Sequence, residues 1–274
     1  MNPSTARLQA ETVWKLLATV RERQPLVHNI TNFVVMNNTA NALLAVGASP
    51  AMVHASDEVE DFVAISQALV INIGTLYSEQ IAACKLAATR ARTAEVPWIL
   101  DPVGAGATPY RRTAAGALAL LRPNVIRGNG SEILALAQQA HTGQGRGVDS
   151  LHGSETAVAA ARTLAGKTGA AVAITGAVDY VTDNARLVEI HNGHPLMARV
   201  TGLGCSATAI IGAFLAVERD ALVATAAGLA VFGVAGEIAA ERARGPGSLQ
   251  VELLDALYAL DEAALKAKLR VAIA

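Results

Sequence analysis

Apolar residues recur at helical spacing in several stretches of this chain, and glycine, proline or polar residues separate those stretches. In the first stretch, Val13, Leu16 and Val20 fall on one face of a helix. The same spacing predicts helices over Leu8–Arg23, Phe33–Val46, Ser78–Arg92, Ile133–Ala140, Ala221–Arg242 and Val251–Leu269. Glycine and proline at 245–247 indicate a break between the last two helices.

Shorter apolar runs lie between the helices and end in polar residues or glycine, as buried strands do. They predict strands over Pro50–His54, Ala68–Ile73, Val96–Leu100, Val125–Ile126 and Ala171–Ile174, and a hairpin of Tyr180–Thr182 with Leu187–Ile190. Strands that alternate with helices are typical of a parallel sheet covered by helices, so we expect an α/β fold. No linker-like change in composition divides the chain, and residues 1–274 are predicted to form a single domain.

The stretch His141–Gly153 contains four glycines and is predicted to be a surface loop. A loop of this length is either a mobile lid over a site or a simple linker within the domain. The linker interpretation is favoured.

The composition limits the possible partners. Hydrophobic residues make up 52% of the chain and charged residues 16%, so a large core can be buried. A net charge of −1 gives no reason to expect nucleic acid or an anionic membrane as a partner. No apolar run is expected to approach the ~20 residues that cross a bilayer, and the first residues lack a signal-peptide pattern, so we expect a cytoplasmic protein. Cys84 and Cys205 lack disulfide or zinc-ligand spacing.

The stretch Thr201–Ala209 contains a Gly-x-Gly turn, Gly202 to Gly204, that runs into the apolar segment Ile210–Val217. Such a turn leaves backbone N–H groups uncovered at the start of a helix, where they can bind phosphate oxygens. Cys205 would lie in the first helical turn, where the helix field favours the thiolate over the thiol. A glycine turn is most often only a tight connection, so the motif alone leaves both interpretations open.

Polar residues follow several of the predicted strands, namely Asp101, Asn129, Glu132 and Thr175. Because open α/β sheets bind ligands beyond the carboxyl ends of their strands, these residues are expected to share one crevice with the glycine turn. The two carboxylates suit Mg²⁺ beside a nucleotide, and Arg127 could balance phosphate charge. Each acid alone is more often a helix cap or a surface charge, but the joint arrangement favours a site.

These motifs resemble a known family. Asn129-Gly-Ser-Glu132, with a late Gly-x-Gly turn before a helix, is similar to the ribokinase-like superfamily of small-molecule kinases. More closely, the chain resembles the hydroxyethylthiazole kinase family of thiamine salvage. The matching segments span nearly the whole chain and are PLVHNITN (25–32), TANALLAVGASPAM (39–52), DPVGAGAT (101–108), IRGNGSEI (126–133) and VTGLGC (200–205).

The resemblance implies a three-layer α/β/α fold with a mostly parallel central sheet. It implies transfer of the ATP γ-phosphate to the hydroxyl of 4-methyl-5-(2-hydroxyethyl)thiazole, with Mg²⁺ as cofactor. The family is known as a homotrimer with active sites between subunits, so residues of one site need not come from one chain.

The resemblance also implies which residues form the site. Asn32, Met52 and Gly202 would contact the thiazole, and Cys205 would act at its hydroxyl. ATP would be bound by Arg127, Asn129, Thr175 and Gly204. Mg²⁺ would be bound by Asp101 and Glu132.

The chain departs from wider patterns at two positions. Most ribokinase-like enzymes carry an aspartate base where this chain has Cys205, although cysteine is usual in the thiazole kinases. Phosphoryl transfer depends more on positioning and charge neutralisation than on strong deprotonation, so a cysteine is tolerable there. Thiazole kinases more often carry a smaller or hydroxylated residue at Leu203, which affects how the turn packs more than the reaction.

Three alternatives stay open from the residues alone. Cys205 with His28 or His54 could form a thiol nucleophile and its base. A Rossmann-type dehydrogenase is disfavoured because no G-x-G-x-x-G follows the first strand. Within the kinase interpretation, the acceptor could be another heteroaromatic alcohol, such as a hydroxymethylpyrimidine or pyridoxal.

Overall fold

The structure is a computed structural model that describes residues 8–140 and 153–273. The predicted loop His141–Gly153 lies outside these residues, apart from Gly153, which begins a helix.

The described residues form one nine-stranded sheet. Its strands are β1 (Leu26–Ile30), β2 (Ser49–Ala51), β3 (Ala68–Asn72), β4 (Trp98–Asp101), β5 (Val125–Asn129), β6 (Ala171–Thr175), β7 (Asp179–Thr182), β8 (Leu187–Ile190) and β9 (Val271–Ile273). The spatial order is β2-β1-β3-β4-β5-β6-β7-β8-β9. Strands β1 to β6 are parallel, and β7 to β9 extend the sheet in antiparallel pairs.

The order of the parallel strands places a topological switch point between β1 and β3, because the chain moves outward from β1 in both directions. Open α/β sheets bind ligands at such a point, beyond the carboxyl ends of the strands. The order also differs from the 3-2-1-4-5-6 order of dinucleotide-binding dehydrogenases, which disfavours that alternative further.

Helices connect the strands and cover both faces of the sheet. They are α1 (Ala10–Arg23), α2 (Met36–Val46), α3 (Val59–Ile65), α4 (Ser78–Thr93), α5 (Pro109–Ala119), α6 (Gly130–Ala140), α7 (Gly153–Thr168), α8 (Leu203–Leu215), α9 (Ala221–Arg242), α10 (Pro246–Ala259) and α11 (Glu262–Lys268). A 3₁₀ helix covers Pro195–Arg199.

Two apolar layers hold the helices to the sheet. Successive strand residues point to opposite faces, so Val70 and Ile99 pack with α1, α2 and α8 to α11, whereas Leu69 and Leu100 pack with α3 to α7. The expected three-layer α/β/α arrangement with a mostly parallel sheet is confirmed.

One predicted helix is wrong. Val251–Leu269 is divided into α10 and α11, because Leu260 has an extended backbone and the Asp261 side chain caps α11 by accepting a hydrogen bond from the Ala264 N–H. The predicted break at 245–247 is the start of α10, with Pro246 as its first residue. The predicted strand Pro50–His54 is the shorter β2, and β1, α3, α5, α7 and β9 were not predicted.

The expectation that no apolar run approaches bilayer length is also wrong. Helix α9 has 22 residues and, by length and composition, is the one described helix that could cross a membrane. Of its most apolar window, 78% is buried inside the fold. Its apolar character is therefore accounted for by the core, where it packs on α8 and α10.

The close approach of α8 and α9 generates a testable prediction. A Cβ added at Gly228 in α9 would lie 3.0 Å from the Ile211 Cα, which is backbone and cannot move alone. We expect Gly228→Ala to lower the free energy of unfolding by ~1–3 kcal/mol through overpacking. Gly247→Ala is the control, because nothing lies within 4 Å of a Cβ there. It should be neutral or stabilise by up to ~1 kcal/mol through helix propensity. Urea unfolding of both variants measures the difference, and equal shifts would contradict the close contact.

Candidate active site

The carboxyl ends of the parallel strands bring polar side chains to one edge of the sheet. Asn32 follows β1, Asn72 ends β3, Asp101 ends β4 and Thr175 ends β6. The N-terminus of α8, with Cys205 in its first turn, lies at the same edge, because Cys205 is within 3.6 Å of Asn32. Residues that are distant in the sequence therefore share one crevice at the switch point.

Asp101 is completely buried at the centre of this crevice. Its Oδ2 accepts hydrogen bonds from Asn72 Nδ2 (2.7 Å) and from the Thr208 hydroxyl (2.8 Å), and its Oδ1 has no partner among the described residues. Burial raises the pKa of Asp101 to about 6, Arg127 opposes the rise, and Glu132 adds to it. The carboxylate therefore keeps one oxygen for a further cationic or hydrogen-bonding partner.

Two amides connect Asp101 to Cys205. Asn72 Oδ1 accepts a hydrogen bond from Asn32 Nδ2 (2.8 Å), and the same Nδ2 donates to Cys205 Sγ (3.6 Å). The site thus contains a continuous chain of hydrogen bonds from the thiol, through Asn32 and Asn72, to the buried carboxylate.

Cys205 does not have the thiolate character that its place in the first helical turn suggested. It is half-buried, and burial raises the pKa of the thiol to about 11, with the Asp101 carboxylate adding to the rise. Desolvation and a neighbouring negative charge thus outweigh the helix field. The expected thiolate is wrong, and the residue is a neutral thiol at neutral pH.

The Gly-x-Gly turn has the geometry that requires glycine. Gly202 has φ 82°, in the left-handed region, and a Cβ there would lie 2.7 Å from Val35 Cγ1. A Cβ at Gly204 would lie 2.8 Å from Arg127 Nη1. The helix start and the guanidinium are therefore close enough to bind one anion together.

A cavity of about 530 Å³ lies beside this turn, with Leu203 and Gly204 in its lining. Arg127 donates from Nη2 to the Thr175 hydroxyl (2.6 Å), while its buried Nε has no partner in the part of the chain that the structure describes. The lining combines polar residues, among them Arg127, Thr175 and Asp179, with apolar ones, among them Met197, Leu229 and Phe232. Such a cavity suits a flat, apolar group that carries an anion at one end.

Glu132 and Asn129 stabilise the start of α6. Glu132 accepts hydrogen bonds from the backbone N–H groups of Gly104 and Asn129, both at 2.8 Å. Asn129 Oδ1 accepts from the N–H of Glu132 and from the Ser131 hydroxyl, so it caps the helix. Both side chains have structural partners, and any ligand contacts would be additional to these.

Comparison with known proteins agrees with this geometry. The model of the hydroxyethylthiazole kinase family matches residues 17–263. A protein of Granulibacter bethesdensis named hydroxyethylthiazole kinase is 59% identical over 263 residues, which are 96% of this chain and 95% of that protein. The chain belongs to the hydroxyethylthiazole kinase family. Another member, the solved hydroxyethylthiazole kinase of Pyrococcus horikoshii, has a TM-score of 0.90 at 44% identity and covers 96% of this chain and 99% of its own.

The fold extends beyond the thiazole kinase family. The pyridoxal kinase of Staphylococcus aureus, solved in complex with ADP, has a TM-score of 0.60 at 16% identity over 78% of this chain and 88% of its own. At this identity the similarity concerns the fold alone, and it confirms the ribokinase-like architecture.

The structure unites most of the residues that the resemblance to the thiazole kinases indicated, but not all. Met52 follows β2 at the edge of the sheet, and no hydrogen bond within residues 8–140 and 153–273 connects it to the other site residues. Nearby, Phe33 and Val34 expose 59% and 62% of their surface, and the Phe33 ring stacks on Tyr77. An exposed apolar patch therefore flanks the site on the side of Asn32.

The two histidines of the thiol-nucleophile alternative form hydrogen bonds with backbone groups. His28 Nε2 lies 2.8 Å from the Val53 carbonyl, and His54 Nε2 lies 3.0 Å from the Thr31 N–H. Burial lowers the pKa of His28. Neither ring has the partner that a base for Cys205 needs, which disfavours that alternative.

Two residues of the hydrogen-bonded chain were not predicted from the sequence, Asn72 and Thr208. Asn72 is a polar residue near the end of the apolar run Ala68–Ile73, and that position is the signal that could have identified it. Thr208 lies three residues after Cys205 on α8 and so faces the same side of the helix.

The neutral thiol predicts slow alkylation. At pH 8, iodoacetamide should modify Cys205 in the native protein at least ~100-fold more slowly than in urea, because a pKa near 11 leaves little thiolate. The rate should increase as the pH rises towards that pKa. Intact-mass analysis follows the reaction, and Cys84 is the internal reference because burial raises its pKa to about 12. Equal rates in native and unfolded protein would contradict the neutral thiol.

Proposed function

We propose that this chain is a kinase that transfers the γ-phosphate of ATP to the hydroxyl of 4-methyl-5-(2-hydroxyethyl)thiazole, in thiamine salvage. Family membership supports the reaction class. The observation that carries the proposal is the contact of Cys205, Asn32 and the buried Asp101 network beside an anion-binding helix start. Residues 1–274 would act as one kinase domain, in the cytoplasm, where ATP is available.

The nucleotide would bind in the cavity between β6 and α9. The apolar lining residues suit the base, and Arg127 and Thr175 suit the phosphates. Gly204 would let the phosphates meet the backbone of α8 and the Arg127 guanidinium together, because the missing Cβ allows the guanidinium to lie against the helix start. Asn129 would support the phosphate network from the start of α6.

The acceptor alcohol would bind on the other side of Cys205, against Asn32, Gly202 and Met52. A neutral thiol with a nearby amide can orient a hydroxyl as a hydrogen-bond partner. Phosphoryl transfer needs positioning and charge neutralisation more than a strong base, so a thiol is sufficient at this position.

Magnesium would be held by Asp101 and Glu132. The fit is supported by Asp101 Oδ1, a buried carboxylate oxygen that has no partner within residues 8–140 and 153–273, and by Glu132, which is close enough to raise the pKa of Asp101. Mg²⁺ binds through one or two carboxylates together with substrate phosphates, so no larger cluster of ligands is needed. When bound, the ion supplies positive charge that neutralises the phosphate oxygens. The role of the protein is to fix the carboxylates through Asn72, Thr208 and the Gly104 N–H.

A homotrimer would complete the site. The patch of Phe33, Val34 and Tyr77 is apolar and exposed next to Asn32. A second chain that covers this patch would bring its own residues, Met52 among them, to the acceptor side.

Replacement of Cys205 tests the mechanism. We expect Cys205→Asp to remain an active, magnesium-dependent kinase within about tenfold of the wild type, because aspartate also accepts a hydrogen bond from the alcohol. Cys205→Ala should lose ~10²-fold in kcat because it offers no acceptor. The measurements are ADP release with and without the thiazole, a magnesium titration, and intact-mass analysis during turnover.

The outcomes separate the hypotheses. A covalent adduct on Cys205 together with an inactive aspartate variant would refute the kinase mechanism. Activity of the wild type on hydroxymethylpyrimidine or pyridoxal but not on the thiazole would refute only the choice of acceptor. Full activity without magnesium would refute the roles of Asp101 and Glu132.

The assembly is tested separately. Val34→Asp should dissociate the trimer and abolish activity, because it places a charge in the patch proposed to be buried between chains. Leu120→Asp is the control. Leu120 is 81% exposed at the C-terminal end of α5, which leads back to the amino end of β5 and so away from the carboxyl ends of the strands. Sedimentation velocity gives the assembly independently of activity. A fully active wild-type monomer would refute the shared site.

A further inference from the structure

Asn72 is a buried side chain that hydrogen-bonds to both Asn32 and Asp101. It is the last residue of β3, 1% exposed, next to the switch point between β1 and β3. Its Oδ1 accepts hydrogen bonds from Asn32 Nδ2 (2.8 Å) and from the Gly74 N–H (2.9 Å), and its Nδ2 donates to Asp101 Oδ2 (2.7 Å). One buried amide thus contacts both the acceptor side and the metal side of the site.

These contacts fix the orientation of the amide. A flipped Asn72 would place its NH₂ against two donors and its oxygen against a carboxylate, so only one orientation is compatible with its neighbours. Asn32 is fixed in turn, because its Oδ1 accepts from the Val34 N–H and its Nδ2 donates to Asn72. The second hydrogen of Asn32 Nδ2 is therefore directed at Cys205 Sγ, and Asp101 is left with Oδ1 free.

Gly74 and Arg111 hold Asn32 and Asn72 in these positions. A Cβ at Gly74 would lie 2.5 Å from Asn32 Nδ2, so Asn32 fills the space above that glycine. The Arg111 guanidinium donates to the carbonyls of Ile73 and Gly74, the two residues after Asn72, both at 2.7 Å. The segment that follows β3 is therefore anchored, and Asn72 cannot move without breaking several buried hydrogen bonds.

We infer that Asn72 is a positioning residue of the transfer reaction, which sets the distance between the acceptor alcohol at Asn32 and the phosphate side at Asp101. The inference rests on the proposed function. Asn72 touches neither substrate; it acts through Asn32 and Asp101. Since misplacement of reacting groups by about 1 Å can cost ~10²-fold in rate, a residue that fixes this distance affects turnover more than nucleotide binding.

The test compares Asn72→Leu and Asn72→Asp with the wild type and with Asn29→Leu. Asn29 is the matched control: it is also a fully buried asparagine, on the neighbouring strand β1, and it donates only to the Val27 carbonyl. For each protein we measure the melting temperature, kcat, both KM values, and thiazole affinity by calorimetry without nucleotide or magnesium.

Asn72→Leu removes both the oxygen that accepts from Asn32 and the NH₂ that donates to Asp101. We expect kcat to fall ~10²-fold and thiazole affinity to weaken ~10-fold, with KM for ATP changed less than about twofold. Asn72→Asp keeps the size and the acceptor oxygen for Asn32 and Gly74, but turns an oxygen towards Asp101. It should keep thiazole affinity within about threefold while kcat still falls at least ~10-fold. Asn29→Leu should change the melting temperature only.

Two results would overturn the role of Asn72. One is an Asn72→Leu variant whose kcat falls only as far as its loss of folded protein, with thiazole affinity and both KM values unchanged. The other is an Asn72→Asp variant with wild-type kcat, which also decides the matter if Asn72→Leu does not fold. A wild type that is inactive on the thiazole would instead refute the proposed function.

Discussion

The arrangement of this site depends on a carboxylate that is completely buried. A carboxylate removed from water is stable only if hydrogen-bond donors or positive charge replace the lost solvation. For Asp101, Asn72 at the end of β3 and Thr208 on α8 supply two donors to one oxygen. This requirement brings α8 against the ends of β3 and β4, and it places the Gly202 turn and Cys205 at the switch point.

The second constraint is the close approach of side chains to the main chain, and it explains three glycines at the site. Gly74 makes room for Asn32, Gly202 for Val35, and Gly204 for Arg127. In each case a single Cβ would lie within 2.8 Å of the atom that the neighbouring residue presents. The crevice is therefore closed by side chains that pack directly on the main chain at two glycine-containing segments, the one after β3 and the start of α8.

Apolar runs and glycines in the sequence predicted those parts of the site that depend only on where a strand or a helix ends. The strand ends at Asp101 and Thr175 and the turn at Gly202 follow from apolar runs and glycine, and the structure has them at one edge. The link between Asn32 and Cys205 joins residues 173 positions apart, and no periodicity contains that information. The thiol was predicted with the wrong charge because the helix field can be inferred from sequence, whereas burial and the nearby Asp101 cannot. The apolar spacing predicted one helix through Leu260. The helix ends there because Asp261 caps the start of the next helix, α11.

Helix α9 has a consequence for how the chain is made. A segment of 22 mostly apolar residues would be attractive to lipids and to other unfolded chains while it is uncovered. Synthesis from the N-terminus places its partner α8 and strands β1 to β8 ahead of it, so most of its binding surface exists before the helix emerges. Only α10, α11 and β9 remain to be added. The order of elements along the chain thus shortens the time for which this segment is exposed, and a circular permutation that moved α9 to the front would lengthen it.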